Sequence, residues 1–157
     1  MVEVQFSLRG VDELNKALKE VSDDVRKKGG RFALRKAANL VAGALRVGAQ
    51  RLDDPATGRA ISQNVAVRFS SRRFKRTGDL MFRVGVLQGA VLSKGGNENA
   101  GAPTPHWRLL EFGTEKMAAR PFARPALERN VGQATNEFVT QLKKALDRAA
   151  QRAAKSK

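Results

Sequence analysis

The sequence predicts an α+β fold: a small, mostly antiparallel sheet packed by two N-terminal helices and a long C-terminal helix. Three observations point to it. Apolar and polar residues alternate near 2–8, 65–69 and 80–86, the period of a half-buried strand. Apolar residues recur three and four apart in 11–28, 31–52 and 125–154, the period of an amphipathic helix. The chain has 157 residues, which suits one domain over 1–157 and leaves little room for a second.

The first strand is carried by Val2, Val4, Phe6 and Leu8, alternating with Glu3, Gln5 and Ser7, and Gly10 ends it. Such alternation is not a signal peptide. Helix one follows, with Val11, Leu14, Leu18, Val21 and Val25 on one face. Asp12 and Glu13 suit its first turn, and Arg26, Lys27 and Lys28 its last, as the helix dipole favours. Gly29-Gly30 is read as a stop or bend. Helix two then spans about 31–52, with a stripe of Leu34, Ala38, Val41, Leu45, Gly48 and Leu52. Small residues such as Ala37, Ala42 and Ala44 permit close approach of a neighbour. Asp53-Asp54-Pro55 ends it, because a residue before proline avoids the helical region.

The segment 58–64 is read as a turn or a short helix. Val65, Val67 and Phe69, then Leu80, Phe82, Val84 and Val86, form two strands. Ser70 to Gly78 is read as a flexible connection, so the pair makes a long antiparallel hairpin with a basic tip. From about 89 to 105 the composition turns to Gly, Ala, Asn, Ser and Pro, the chemistry of a mobile loop. A short amphipathic piece, 107–112, precedes the last helix, which begins near Pro125. Its stripe is Leu127, Val131, Ala134, Phe138, Leu142, Ala145 and Ala149, and its end, about 143–157, is basic and expected to be exposed. No internal repeat is present.

Composition narrows the function. Thirty Lys and Arg face fifteen Asp and Glu, for a formal net charge of +15. That excess points to nucleic acid or to an acidic protein partner, since unbalanced charge repels itself. No cysteine is present, which removes disulfides, thiolate metal sites and cysteine nucleophiles and fits synthesis in a cytosol. One histidine, His106, excludes a zinc site of several imidazoles. No apolar run approaches the roughly 20 residues of a membrane helix.

Catalytic and cofactor sites are not expected. His106 lies between Pro105 and Trp107 with no serine elbow nearby. Asp23-Asp24 and Asp53-Asp54 are adjacent pairs, and adjacent helical residues point about 100° apart, so neither is a two-carboxylate site. Gly29-Gly30 and Gly95-Gly96 lack the residues of a phosphate-binding loop. No cofactor, metal or small-molecule substrate is implied.

Two constellations remain. Arg72, Arg73, Phe74, Lys75 and Arg76 crowd the hairpin tip, flanked by Arg68 and Arg83. Phe69 and Phe82 fall on buried strand faces, leaving Phe74 as the exposed ring. Phosphate contact without base reading, or contact with an acidic protein, therefore fits better than base recognition. The second is the stretch from His106 to Leu127. It is read as a helical turn, a glycine stop, a loop and a proline-bounded helix start. Leu109, Leu110 and Phe112 are expected to pack inward, and Phe122 to plug the core. Glu111, Lys116, Arg120 and Arg124 are the candidates for ion pairs, within the subunit or across an interface.

Leu110-Glu111-Phe112-Gly113-Thr114, continuing through Lys116-Met117-Ala118-Ala119-Arg120-Pro121-Phe122-Ala123-Arg124-Pro125-Ala126-Leu127-Glu128, resembles the signature of a family of small tail-component proteins of long-tailed bacteriophages and prophages. The opening, Gly10-Val11-Asp12-Glu13-Leu14, and the segment from Thr57-Gly58-Arg59 to Val65 are similar to the family as well. The specific part is 109–128. The chain departs from the pattern in its 89–105 loop and in His106-Trp107, where members more often carry a single aromatic.

The resemblance implies a non-enzymatic virion protein of the tail and neck, made in the bacterial cytoplasm, that completes the tail and joins it to the head. Its implied partners are copies of itself in a ring, often a hexamer, the head-closure protein, the tail terminator, tail-tube proteins, and phage DNA crossing the lumen. Two alternatives stand beside it: the tail terminator itself, capping the tube, and a basic sequence-independent nucleic-acid-binding protein outside any virion.

Overall fold

The computed structural model describes residues 23–53, 60–87 and 104–155. In chain order these form α1 (Asp23–Gln50), a 3₁₀ turn (Ser62–Asn64), β1 (Val65–Phe69), α2 (Ser71–Thr77), β2 (Phe82–Val86), α3 (Trp107–Phe112) and α4 (Ala123–Lys155). The expected first strand, most of helix one, and nearly all of the 89–105 loop lie outside the described residues.

Two long helices frame the molecule. The 28 residues of α1 span about 42 Å and the 33 of α4 about 50 Å. They pack on each other, and the ribbon of β1 and β2 packs on α1. The strands pair antiparallel in the register Val65↔Val86, Val67↔Val84 and Phe69↔Phe82, as the alternation predicts. The α+β architecture is therefore present, with helices far outweighing the sheet.

The break at Gly29-Gly30 is absent. Helix α1 runs through both glycines, because their missing side chains are used for packing. A Cβ on Gly29 would lie 3.0 Å from the Ala145 Cβ of α4, and one on Gly30 would lie 3.0 Å from Leu80 Cδ1. Each glycine costs the helix about 1 kcal/mol relative to alanine. The close approach it permits offsets that.

The connection 70–78 also differs from its reading. It is a helix, α2, and not a flexible loop. Gly78, at φ 76°, takes the left-handed conformation that closes it, and its N–H donates to the Phe74 carbonyl at 2.9 Å. The 58–64 segment does contain a short helix, the 3₁₀ turn. Asp53, just beyond α1, accepts from the Ile61 N–H at 2.6 Å and from the Ser62 N–H and hydroxyl. One carboxylate thus ties the end of α1 to the start of the sheet.

The core has two parts. Ala42, Leu45, Ala49, Ile61, Val65, Phe122 and Ala126 form the first, and Ala33, Leu142 and Leu146 the second. On α1 the deepest face is the alanine face, with Leu34, Ala38 and Val41 half-buried beside it. On α4, Ala134 and Leu142 are buried as expected, but Leu127 is 53 % exposed and its neighbour Ala126 takes the inward place.

Candidate functional site

The stretch from Thr104 to Ala126 is organised around one carboxylate. Glu111, 1 % exposed, points inward from α3 to the start of α4. Its Oε2 accepts from the backbone N–H of Phe122 at 2.7 Å and of Ala123 at 2.9 Å. Its Oε1 accepts from the Arg124 N–H at 3.1 Å and from Arg124 Nε at 3.3 Å. The first turn of a helix carries N–H groups without partners and a positive dipole end, so an anion is favoured there. Burial pushes the Glu111 carboxyl upward, but the N–H groups of Ala123, Phe122 and Arg124 and the Arg124 side chain outweigh it and hold the group below its ordinary value. Of the four candidates for ion pairs, Glu111 and Arg124 meet each other within the subunit. Their pair belongs to a helix cap.

The rest of the motif serves the same placement. Gly113, at φ 75°, ends α3, and a Cβ there would come within 2.9 Å of the Met117 carbonyl and the Ala119 nitrogen. The Thr114 N–H donates to the Met117 carbonyl at 2.9 Å, closing a tight loop that presents Lys116 to solvent. The Arg120 N–H donates to the Leu110 carbonyl at 2.7 Å, so its exposed side chain stands on a fixed backbone. Phe122 is buried, as expected. Leu109 and Phe112 are not: they are 50 % and 65 % exposed. In a six-residue helix, Trp107, Leu110 and Glu111 share the inward face at three-four spacing, which turns Leu109 and Phe112 outward.

Phe112 and Leu127 border an apolar groove of about 610 Å³ that also takes in Val41, Val84 and Trp107. The indole N–H of Trp107 is buried and finds no acceptor among the described residues. Buried donors are nearly always paired, so this one is a notable exception.

The basic cluster stands on α2 and the strands beside it. Arg72, Arg73, Lys75 and Arg76 are exposed. Arg73 pairs with Asp79 at 3.1 Å, and bonds from Thr77 and Arg73 hold the Asp79 carboxyl below its ordinary value. Phe74 is not the free ring expected. It is half-buried against Phe69, centroids 5.7 Å apart, and Phe69 in turn meets Phe82 at 5.2 Å. Arg31 of α1 lies over the Phe69 ring at 4.0 Å. Arg68 and Arg83 face each other across the strand pair, an arrangement that repels. Arg72, Arg76 and Arg83 line a polar groove of about 510 Å³. The sequence thus located the cations correctly and missed Arg31, which nothing in a linear pattern ties to Phe69. No group of three or more His, Asp or Glu able to hold a metal occurs among the described residues, and no described helix is long and apolar enough to cross a membrane.

Comparison with known proteins adds the decisive fact. The model of a family described as Bacteriophage HK97-gp10, putative tail-component, matches residues 12–113, about two thirds of the chain. The match spans α1, both strands and α3 and stops at Gly113, so most of the 109–128 motif lies beyond it. No curated protein and no solved structure matches the chain.

Proposed function

The chain belongs to the bacteriophage HK97-gp10 tail-component family, and from this we propose that it is a connector subunit of the virion neck, completing the tail and joining it to the head as one copy in a closed ring. Family membership is the observation that carries the reading. It makes the chain a structural protein of a phage tail. The ring, the neck position and the absence of turnover are the proposal.

The surface supports work by contact. Leu109, Phe112 and Leu127 are large apolar side chains left in solvent, and a subunit flanked by neighbours would bury them. A ring needs a heterologous interface that closes, with different faces meeting on each subunit. The polar groove of α2, with Arg72, Arg76 and Arg83 around it, suits phosphates of the DNA that crosses a neck. His106, the one histidine, is half-buried at the start of α3 beside Trp107.

Two experiments test this together. Purified protein should give closed rings by native mass spectrometry and negative-stain microscopy. A phage or prophage lacking the gene should accumulate heads and tails that do not join. Complete particles formed without the chain would refute the proposal, whatever the purified protein does.

A further inference from the structure

A third groove, of about 470 Å³, runs between the second half of α1 and the start of α4. Its floor is apolar, with Val47, Phe122 and Pro125, and Val47 is 55 % exposed. Three arginines from three separate segments stand around it: Arg51 just past α1, Arg120 in the loop, and Arg129 on α4. All three are exposed, and among the described residues none of them forms an ion pair. The backbone beneath them is set in place. The Arg120 N–H is bonded to Leu110, and Gly48 lets the 120–122 segment lie so close to α1 that a Cβ there would be 3.3 Å from the Phe122 carbonyl.

We infer that this groove is a docking site for an acidic, apolar-bearing segment of a different protein. Charge selects the partner. A second copy of this chain is a poor source, having fifteen acids against thirty bases, with Asp53, Asp79 and Glu111 already engaged. The floor selects its class. A phosphate backbone gains nothing from Val47, Phe122 and Pro125, whereas apolar side chains carried between carboxylates fill such a floor while guanidiniums grip the acids. An apolar centre ringed by arginine is the usual make-up of a protein interface. The α2 groove is the contrast, since its lining carries Ser70 and Ser71 among the arginines. The inference rests on the neck reading only for where such a partner is met, and its chemistry stands apart from that reading.

The test uses the full chain and two fluorescein-labelled, end-capped peptides: hepta-glutamate, and a peptide of equal charge with leucines between its glutamates. Fluorescence anisotropy at physiological salt reads the affinities, and circular dichroism confirms that each variant is folded. The leucine-bearing peptide should bind about tenfold tighter than hepta-glutamate, because the floor adds apolar burial. Arg51→Ala/Arg120→Ala/Arg129→Ala should weaken it about tenfold, three exposed pairs each being modest alone. Val47→Ser should remove most of the preference for leucine. Equal binding of the two peptides, or an equal loss in Arg72→Ala/Arg76→Ala, would overturn the inference, since charge anywhere would then suffice. A short duplex DNA losing affinity with the triple variant and not with the α2 variant would overturn it in favour of nucleic acid. Failure of the neck reading shows elsewhere, in joined particles without the chain, and leaves these affinities unchanged.

Discussion

Replacing Glu111 with alanine removes the acceptor that orders the start of α4. Three consecutive N–H groups, those of Phe122, Ala123 and Arg124, lose their partner. Loss of a helix cap costs about 1–2 kcal/mol. The Phe122 N–H is buried, and an orphaned buried donor adds about 1–3 kcal/mol. The Arg124 pair contributes little, because that side chain is 59 % exposed. The total is about 3 kcal/mol, or roughly 6–12 °C in Tm for a domain of this size. Thermal unfolding followed by circular dichroism reads it. The pH dependence adds a second check. The Glu111 carboxyl is held below its reference value of 4.5, so its contribution is complete above that pH and is lost as pH falls through the lower folded value. The gap between wild type and Glu111→Gln should therefore be constant near neutrality and narrow below about pH 4.5. A melting point within about 2 °C of wild type, or a gap that ignores acid, would refute the capping argument.

The remaining predictions concern glycines and charge. Gly43→Ala meets nothing within 4 Å and should stabilise α1 by about 0.5–1 kcal/mol, while Gly29→Leu should destabilise by about 1–3 kcal/mol by forcing Ala145 away; denaturant titration reads both, and the same sign for the two would refute the packing account of Gly29. Gly113→Ala should cost about 1–3 kcal/mol, since its φ is 75° and the new Cβ meets backbone on two sides; an unchanged denaturation midpoint would refute it. Arg72→Ala/Arg76→Ala should lower the slope of log affinity for duplex DNA against log salt by about 2, and an unchanged slope would remove α2 from DNA contact.

The strands were legible because period two leaves a clean trace in Val65–Phe69 and in Phe82–Val86. The helix between them was not, because seven residues give too little length for a 3.6-residue stripe, and four cations hide what apolar signal Phe74 carries. Its brackets were nevertheless present in Ser70 and Gly78. Gly29-Gly30 misled for a different reason. Glycine is a helix breaker by local preference, and only the nearness of Ala145, over a hundred positions away, reverses its meaning. Leu109, Phe112 and Leu127 misled because apolar character was read as inward direction. Glu111 holds the inward place that the apolar residues were expected to fill, and a buried carboxylate is recognisable only once the helix start it caps is known. The bond between Asn64 Nδ2 and Thr104 Oγ1, 2.8 Å long and 40 residues apart in sequence, had no sequence signal at all.

The acids explain what the bases are for. With fifteen carboxylates against thirty cations, each acid spent inside the subunit leaves the outside more positive. Asp53 is spent on the 3₁₀ turn, Glu111 on the start of α4, and Asp79 on Arg73. Asp53 and Glu111 could not be surrendered to the surface without loosening a junction between elements, whereas Asp79 is exposed and is engaged there by Arg73. The arginines of the two charged grooves are thereby left with carboxylates or phosphates to find elsewhere. A chain composed in this way gains stability from its acids and association from its bases, and it reaches electrostatic balance only in the company of other molecules. The division of labour fits a tail protein whose working state is an assembly.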